Sequence, residues 1–209
     1  MISSVVPAPV VLGYGQQALL EAAYATPQRA YHNFGHVQEV LRHYADVAAG
    51  PGWAQPVEIY LAVLYHDAIY EAGRKDNEAR SAELGMAQVA QWMPQEGVDV
   101  LRVAELINLT ARHGQFSPSD FSDDGFSLDA MHFLDCDMAI LGAGAEKFDA
   151  YDRGIAEEYR GHVPGFLFRI NRKRFLKGLL ARERIFLSDW FHQRYDAAAR
   201  DNLKRAIHA

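Results

Sequence analysis

The sequence predicts an all-α protein, and three observations lead to this prediction. Apolar residues recur at helical spacing along most of the 209-residue chain. Runs of β-branched residues are almost absent, so no segment is assigned as a strand. Clusters of glycine and proline, such as Gly50-Pro51-Gly52, interrupt the periodic segments and mark helix ends. A chain of this length can bury a hydrophobic core as one domain.

The first half of the chain predicts five helices. Pro27 closes the first helix, and the Gly50 cluster closes the second. The third begins at Pro56, a favourable first-turn residue, and is apolar nearly all round, which indicates a buried helix. Asp76 is the expected N-cap of the fourth helix. The predicted bounds are about 11–25, 35–49, 56–65, 76–92 and 98–112.

The second half predicts a surface loop followed by four helices. The loop over 114–125 is rich in serine, aspartate, proline and glycine. Gly142 and Gly144 end the sixth helix, and the last helices break near Ser188. The basic segment 169–184 alternates with apolar residues, so it is interpreted as an amphipathic helix with a solvated face, although one of its arginines reaching a substrate phosphate is left open. The predicted helices cover about 128–141, 145–159, 164–187 and 189–207.

The composition favours a soluble, cytoplasmic protein. The net charge of −6 argues against duplex DNA as a partner, because phosphate binding needs concentrated positive charge. Cys136 is the single cysteine and indicates a reducing compartment. Residues 1–7 lack the basic start of a signal peptide, and no segment has the ~20 apolar residues of a membrane span. A homodimer is left open.

The pair His66-Asp67 is the first candidate for chemistry. It follows the most apolar helix of the chain, where an ionisable pair is costly to bury unless its charge is compensated. A divalent cation provides that compensation, and both side chains are good metal ligands. The structural alternative is a helix end at which the histidine meets the dipole and the aspartate caps a neighbour.

Asp137 is the second candidate ligand. Its neighbours at helical spacing, Phe133, Leu134, Ile140 and Leu141, are all apolar, so the carboxylate lies in a core-facing stripe and needs a partner. A metal ion is one such partner and a buried arginine is the alternative. Asp135 lies roughly 200° around the same helix, so both carboxylates cannot bind one ion from regular helix, and Asp137 is preferred.

The segment Tyr31-His32-Asn33-Phe34-Gly35-His36 supplies the third candidate. Its two histidines are four residues apart, a spacing found in metal sites. Asn33 and Gly35 indicate that a helix starts here, which places His36 in the first turn and makes it the better ligand. His32 is interpreted as a residue that supports the site or approaches a substrate phosphate, with simple capping or hydrogen bonding as the alternative.

These residues, in this order, resemble the HD superfamily of metal-dependent phosphohydrolases. The resemblance is to a small bacterial branch with three motifs, which here read Tyr31 to His36, His66 to Tyr70 followed by Asp76-Asn77-Glu78, and Asp135 to Gly142. It extends to Glu158-Tyr159 and to the late segment 199–203. It implies one HD-type helical bundle over 1–209 with the metal at its centre, an N-terminal helix within 1–26 and a helical extension over about 145–209.

The resemblance also implies a function. The expected activity is hydrolysis of a nucleotide or another small phosphate ester by a metal-activated water, with His36, His66, Asp67 and Asp137 as the metal ligands. Mixed nitrogen and oxygen ligands suit Mn²⁺, Fe²⁺, Co²⁺ or Ni²⁺, with Zn²⁺ and Mg²⁺ also open, as is a second ion. Two alternatives remain, which are a metal-containing binding module without turnover and a di-iron oxygenase.

Three residues are candidates for general acid or base. Glu78 and Asp76 follow the His66-Asp67 pair after a short turn, and Glu78 is preferred. Helix capping accounts for at least one of them equally well. His113 is interpreted either as a ligand of a second metal or of the phosphate, or as a histidine that satisfies the last carbonyls of its helix. Glu71 lies nearer the pair but ranks lower, because it departs from the branch motif.

Overall fold

A computed structural model describes residues 8–208, and within that range the all-α prediction is confirmed. The described chain contains no β-strand, only an isolated bridge between Arg160 and Val163. The residues on which the leader-peptide interpretation rests, 1–7, lie outside this range. The helices are α1 Tyr14–Tyr24, α2 Phe34–Ala49, α3 Pro56–Tyr65, α4 Asn77–Trp92, α5 Val100–Thr110, α6 Gly125–Met138, α7 Ala145–Glu158, α8 Gly165–Leu180 and α9 Asp189–His208, with short 3-10 turns at Pro118–Asp120 and Ala139–Gly142.

Helix α3 is the centre of the core, as its uniformly apolar sequence predicts. Every residue from Ile59 to Tyr65 is buried, and α2, α4, α5 and α6 all pack against it. The carboxylate of Asp129 accepts hydrogen bonds from the backbone N–H groups of Ala54 and Gln55 and so fixes the start of this helix. The end of α3, which carries His66 and Asp67, is thereby held in the middle of the bundle.

The N-terminal helix closes one side of the core. Leu20 and Tyr24 of α1 are buried, and the Tyr24 hydroxyl donates to the carbonyl of Leu64. Gln16 is also buried and donates through Nε2 to the Tyr65 hydroxyl. These contacts attach α1 to the last turn of α3, directly behind the candidate ligands.

Two predicted helices were too long, and a tertiary contact explains the second. The sixth ends as an α-helix at Met138 and tightens into the 3-10 turn Ala139–Gly142. The eighth helix was predicted to reach 187 but ends at Leu180. It ends there because the guanidinium of Arg200 on α9 donates hydrogen bonds to the carbonyls of Leu180, Arg182 and Glu183. Phe186 is therefore buried by a packed loop and not by a helix.

Close packing at Gly142 seats α9 against the core. A Cβ at this position would lie 2.7 Å from the Cβ of Tyr195 and 2.8 Å from its carbonyl oxygen, so only glycine fits. Nearby, the Asn202 side-chain amide donates to the carbonyls of Leu141 and Ala143. Asn202 belongs to the late motif of the sequence, and its contacts make it a structural residue that holds the end of α6.

The buried His132 leads to a prediction about pH and stability. Its ring packs near Trp53 and Phe191, and its Nδ1 has no hydrogen-bond partner within residues 8–208. Burial lowers the pKa of His132 to about 4 from 6.5. Since the unfolded chain takes up this proton first, the folded state loses stability as the pH falls from 6.5 towards 4.

We expect His132→Leu to remove that dependence. The free energy of unfolding of the wild type, measured by urea denaturation, should fall relative to the variant by about 1.4 kcal/mol per pH unit in this window. The comparison isolates His132, because other titrating groups are common to both proteins. His208→Gln, which changes an exposed histidine near the end of α9, should follow the wild type. Parallel curves for wild type and His132→Leu would contradict the assignment.

Candidate metal centre

The first ligand candidate is placed by the start of α2. The Asn33 side chain accepts a hydrogen bond from the N–H of Gly35 and caps the helix, as Asn33-Phe34-Gly35 predicted. His36 therefore lies in the first turn, where its ring is buried and points toward the end of α3. The sequence prediction for the helix start and for the position of His36 in it agrees with the structure.

The second and third candidates lie on the turn that follows α3. His66 Nδ1 is 2.9 Å from the carbonyl oxygen of Val63. A carbonyl only accepts, so Nδ1 carries a proton, and Nε2 is the ring nitrogen that faces His36. Arg29 fixes the turn itself by donating to the carbonyls of Asp67 and Ala68.

Asp135 and Asp137 of α6 have different partners. Asp137 Oδ1 lies 3.1 Å from His36 Nε2 and 3.6 Å from His66 Nε2. Asp135 faces away and accepts hydrogen bonds from the N–H groups of Leu187 and Ser188 and from the Ser188 hydroxyl. Asp137 is thus the carboxylate that the structure brings to the histidines, and Asp135 anchors the loop before α9.

His36, His66 and Asp67 form a group that can hold a metal ion. Their ligand atoms all lie within 4.8 Å of one another. The Nε2 atoms of the two histidines are 3.0 Å apart, and Asp67 Oδ2 is 3.5 Å from His36 Nε2 and 3.2 Å from His66 Nε2. Neighbouring ligands of one ion with bonds of about 2.1 Å are about 3.0–3.4 Å apart in octahedral or tetrahedral geometry. The spacing and donor types therefore fit a divalent cation.

The histidines of the group lower the pKa values of the two neighbouring aspartates. Burial alone would raise the pKa of Asp67, but the imidazoles of His66, His32 and His36 hold it below the usual range. Burial also acts to raise the pKa of Asp137, yet hydrogen bonds from His113, His36 and His66 hold it well below normal. The carboxylates are therefore ionised acceptors, which is the state in which they bind cations.

His113 joins this group through Asp137. Its Nδ1 is 2.7 Å from Asp137 Oδ2, the carboxylate oxygen that does not face His36. Burial by itself lowers the pKa of His113, but the hydrogen bond to Asp137 and the carboxylate charge raise it above the ordinary value. Since Nδ1 donates to the carboxylate, Nε2 is the ring atom left for a ligand. A histidine that only satisfied the last carbonyls of its helix would not make this contact with Asp137.

His32 is held by a buried glutamate that sequence reasoning left without a role. His32 Nδ1 lies 2.7 Å from Glu158 Oε2, and Glu158 also accepts from the backbone N–H groups of Tyr31 and His32. The Tyr70 hydroxyl donates to the same carboxylate, and its ring stacks on His32 with centroids 4.1 Å apart. These contacts fix the imidazole and leave its Nε2 free.

The carboxylates after the His66-Asp67 turn separate into two kinds. Asp76 and Glu71 are exposed and pair with Arg74, so neither is brought to the centre. Asp76 occupies the N-cap position of α4, but its side chain makes no capping hydrogen bond, contrary to prediction, because Arg74 binds both of its oxygens. Glu78 instead lines the small cavity of about 110 Å³ that Asp67 and Asp137 border.

A larger cleft opens from this small cavity. It has a volume of about 510 Å³ and shares six lining residues with it, so the two are continuous. Its outer wall is formed by α7, α8 and the turn between them. The shared residues are His32, Tyr70, Glu78, His113, Tyr151 and Phe175. We call this space the metal-site cleft.

The chain matches no protein-family model, no curated protein and no solved structure. The properties of the site therefore follow from its own geometry.

Sequence reasoning missed three residues that hold this site in place. Arg29 binds the turn at Asp67, and Glu158 binds His32 from 126 positions away. Asn77 is buried at the start of α4. Its Oδ1 accepts a hydrogen bond from the N–H of Glu71, and its Nδ2 donates to the carbonyl of Glu71. Asn77 and Glu158 lie inside the motifs noted in the sequence, but no local pattern shows which backbone or ring they bind.

No helix among the described residues is long and apolar enough to cross a membrane.

Proposed function

We propose that the protein is a metal-dependent phosphohydrolase acting on a small phosphate ester. The observation that carries the proposal is the group His36, His66 and Asp67, whose ligand atoms lie within 4.8 Å of one another, with Asp137 Oδ1 3.1 Å from His36 Nε2. Asp67 and Asp137 also border the small cavity at the base of the cleft. The carboxylates of Asp67 and Asp137 pair with imidazoles and with no lysine or arginine among the described residues, a donor set that suits a divalent cation. The same cleft presents Glu78, His32 and His113, which are groups able to move protons or bind phosphate.

The four side chains named above would hold the ion. When bound, such a cation lowers the pKa of a coordinated water and neutralises charge on a phosphoryl group. The mixture of two imidazoles and two carboxylates suits Mn²⁺, Fe²⁺, Co²⁺ or Ni²⁺, and Zn²⁺ or Mg²⁺ also accept these donors.

The remaining residues of the cleft supply positioning and proton transfer. Glu78 has no ion pair with any described residue, so its carboxylate is available to take a proton from the attacking water. His32 is oriented by Glu158 and leaves its Nε2 for a contact with the substrate. His113 is oriented by Asp137 and presents its Nε2 in the same way. Attack by water at phosphorus then breaks the ester P–O bond.

The test is a screen of the purified protein with p-nitrophenyl phosphate, bis-p-nitrophenyl phosphate and nucleotides, in the presence of Mn²⁺, Co²⁺, Ni²⁺ or Mg²⁺. We expect phosphate or nitrophenol release that a chelator abolishes and added metal restores. Elemental analysis of the same preparation gives the bound metal. Stoichiometric metal without hydrolysis of any ester would contradict the proposal and favour a metal-containing binding module.

A further inference from the structure

A second cavity lies beside the metal-site cleft, and the charged side chains that line it are mainly basic. It has a volume of about 490 Å³, and four cationic residues but a single acidic one line it. The whole protein carries a net charge of −6, so this pocket is opposite in sign to the protein as a whole. The charged lining residues are Arg160, Arg169, Arg172, Lys173 and Asp152. We call this cavity the basic pocket.

Arg172 is the charged residue common to the two cavities. Its guanidinium lies between the rings of Tyr151 and Phe175, 5.0 and 5.5 Å from their centroids. Its Nε donates to Asp152 at 2.9 Å, while Nη2 is buried with no acceptor among residues 8–208. A buried charged donor without an acceptor is costly and indicates that a partner is missing from the site.

The other cations of the pocket leave most of its positive charge without a partner. Neither Arg169 nor Lys173 forms an ion pair with a described residue, and Arg160 pairs with Glu157 at the rim. Helix α8 starts at this pocket with Gly165, so the positive end of its dipole adds to the side-chain charge. Fixed donors and unneutralised cations together define a site for an anion.

The basic pocket adjoins the metal-site cleft. Tyr159, Val163, Phe168 and Arg172 line both spaces, so Arg172 belongs to the wall of the cleft as well as to the pocket. A molecule that occupies the cleft with its ester phosphate at the metal centre therefore has Arg172 in the wall of the same cleft.

We propose that the basic pocket binds a second anionic group of the substrate, a phosphate, and that Arg172 is its main ligand. This proposal rests on the proposed function for the identity of the bound molecule. It restricts the substrate class to compounds with two separated phosphate groups, of which one is hydrolysed and the other is held by Arg172. Arginine suits this role, because its planar fork donates two hydrogen bonds to one phosphate.

The first experiment measures anion binding without metal or turnover. Chelator-treated full-length protein is titrated calorimetrically with inorganic phosphate at low ionic strength and pH 8. Arg172→Gln should weaken binding by at least about tenfold. Arg174→Gln is the matched control, because it removes the same charge from an exposed position of α8 that lines neither cavity. Arg172→Lys, which keeps the charge and the stem, should weaken binding less and provides a second variant if the first folds poorly.

The second experiment asks whether the pocket belongs to the substrate site. Mn²⁺-loaded protein carrying Glu78→Gln is titrated with adenosine 5′-monophosphate and adenosine 3′,5′-bisphosphate, which differ only in the second phosphate. The bisphosphate should bind more tightly, and adding Arg172→Gln should remove its advantage. The proposal is overturned if Arg172→Gln binds phosphate as tightly as the wild type does. It is also overturned if the bisphosphate still binds more tightly than the monophosphate after Arg172 is replaced. Neither readout requires hydrolysis, so a failure of the proposed activity would be seen separately.

Discussion

Replacing Asp137 by asparagine is expected to lower the metal affinity of the protein by more than about 100-fold. Removal of residues that only orient a ligand typically costs 10–100-fold, and a ligand itself should cost more. The carboxylate of Asp137 contacts the ring nitrogens of His36, His66 and His113. Asparagine preserves its size but removes the charge that a divalent cation needs. The measurement is bound metal by elemental analysis after dialysis against defined free metal.

Asp135→Asn is the matched control for this experiment. It makes the same change two positions away on α6, where the carboxylate binds the loop before α9. Burial raises the pKa of Asp135 to about 7, although three hydrogen bonds from Leu187 and Ser188 oppose the shift. Its replacement should affect thermal stability and leave the metal content unchanged. Full metal in the Asp137 variant with loss in the Asp135 variant would reverse the assignment of the two carboxylates.

Glu78→Gln is expected to lower turnover by about 10²–10⁴-fold while the metal stays bound. Glu78 lies in the first turn of α4, close to Asp67 because the intervening loop is held by Asn77 and Ser81. A carboxylate in the first turn of a helix interacts favourably with the helix dipole. Steady-state kinetics with the best ester from the screen, together with metal analysis, separates loss of chemistry from loss of the ion.

Glu83→Gln provides the control for Glu78. Glu83 is exposed on the same helix and lines neither the small cavity nor the metal-site cleft. It should retain wild-type turnover. Full activity in Glu78→Gln would show that Glu78 is only a first-turn glutamate of α4. The group that accepts the proton would then be His113 or His32. Asp76 and Glu71 are weaker replacements, because Arg74 binds both on the exposed side of the loop.

The helices were predictable because their signals are local. The buried character of α3 follows from ten nearly continuous apolar residues, and the start of α2 follows from Asn33 as a cap. The length of α8 was not predictable in the same way. Apolar spacing continues past Leu180 through Phe186, but Arg200 satisfies the carbonyls that end the helix from a different element. A one-dimensional pattern does not distinguish a buried loop from a buried helix.

The sequence by itself determined the all-helical fold and the residues worth considering for metal and substrate. It did so because helical period, caps and unusual ionisable residues on apolar faces are properties of short segments. Only the tertiary structure decided which carboxylates meet the histidines. Asp137 lies beside His36, while Asp135 and Asp76 have other partners. Hydrogen bonds and ion pairs join residues distant in sequence, as between His32 and Glu158, so the packed fold alone fixes their geometry.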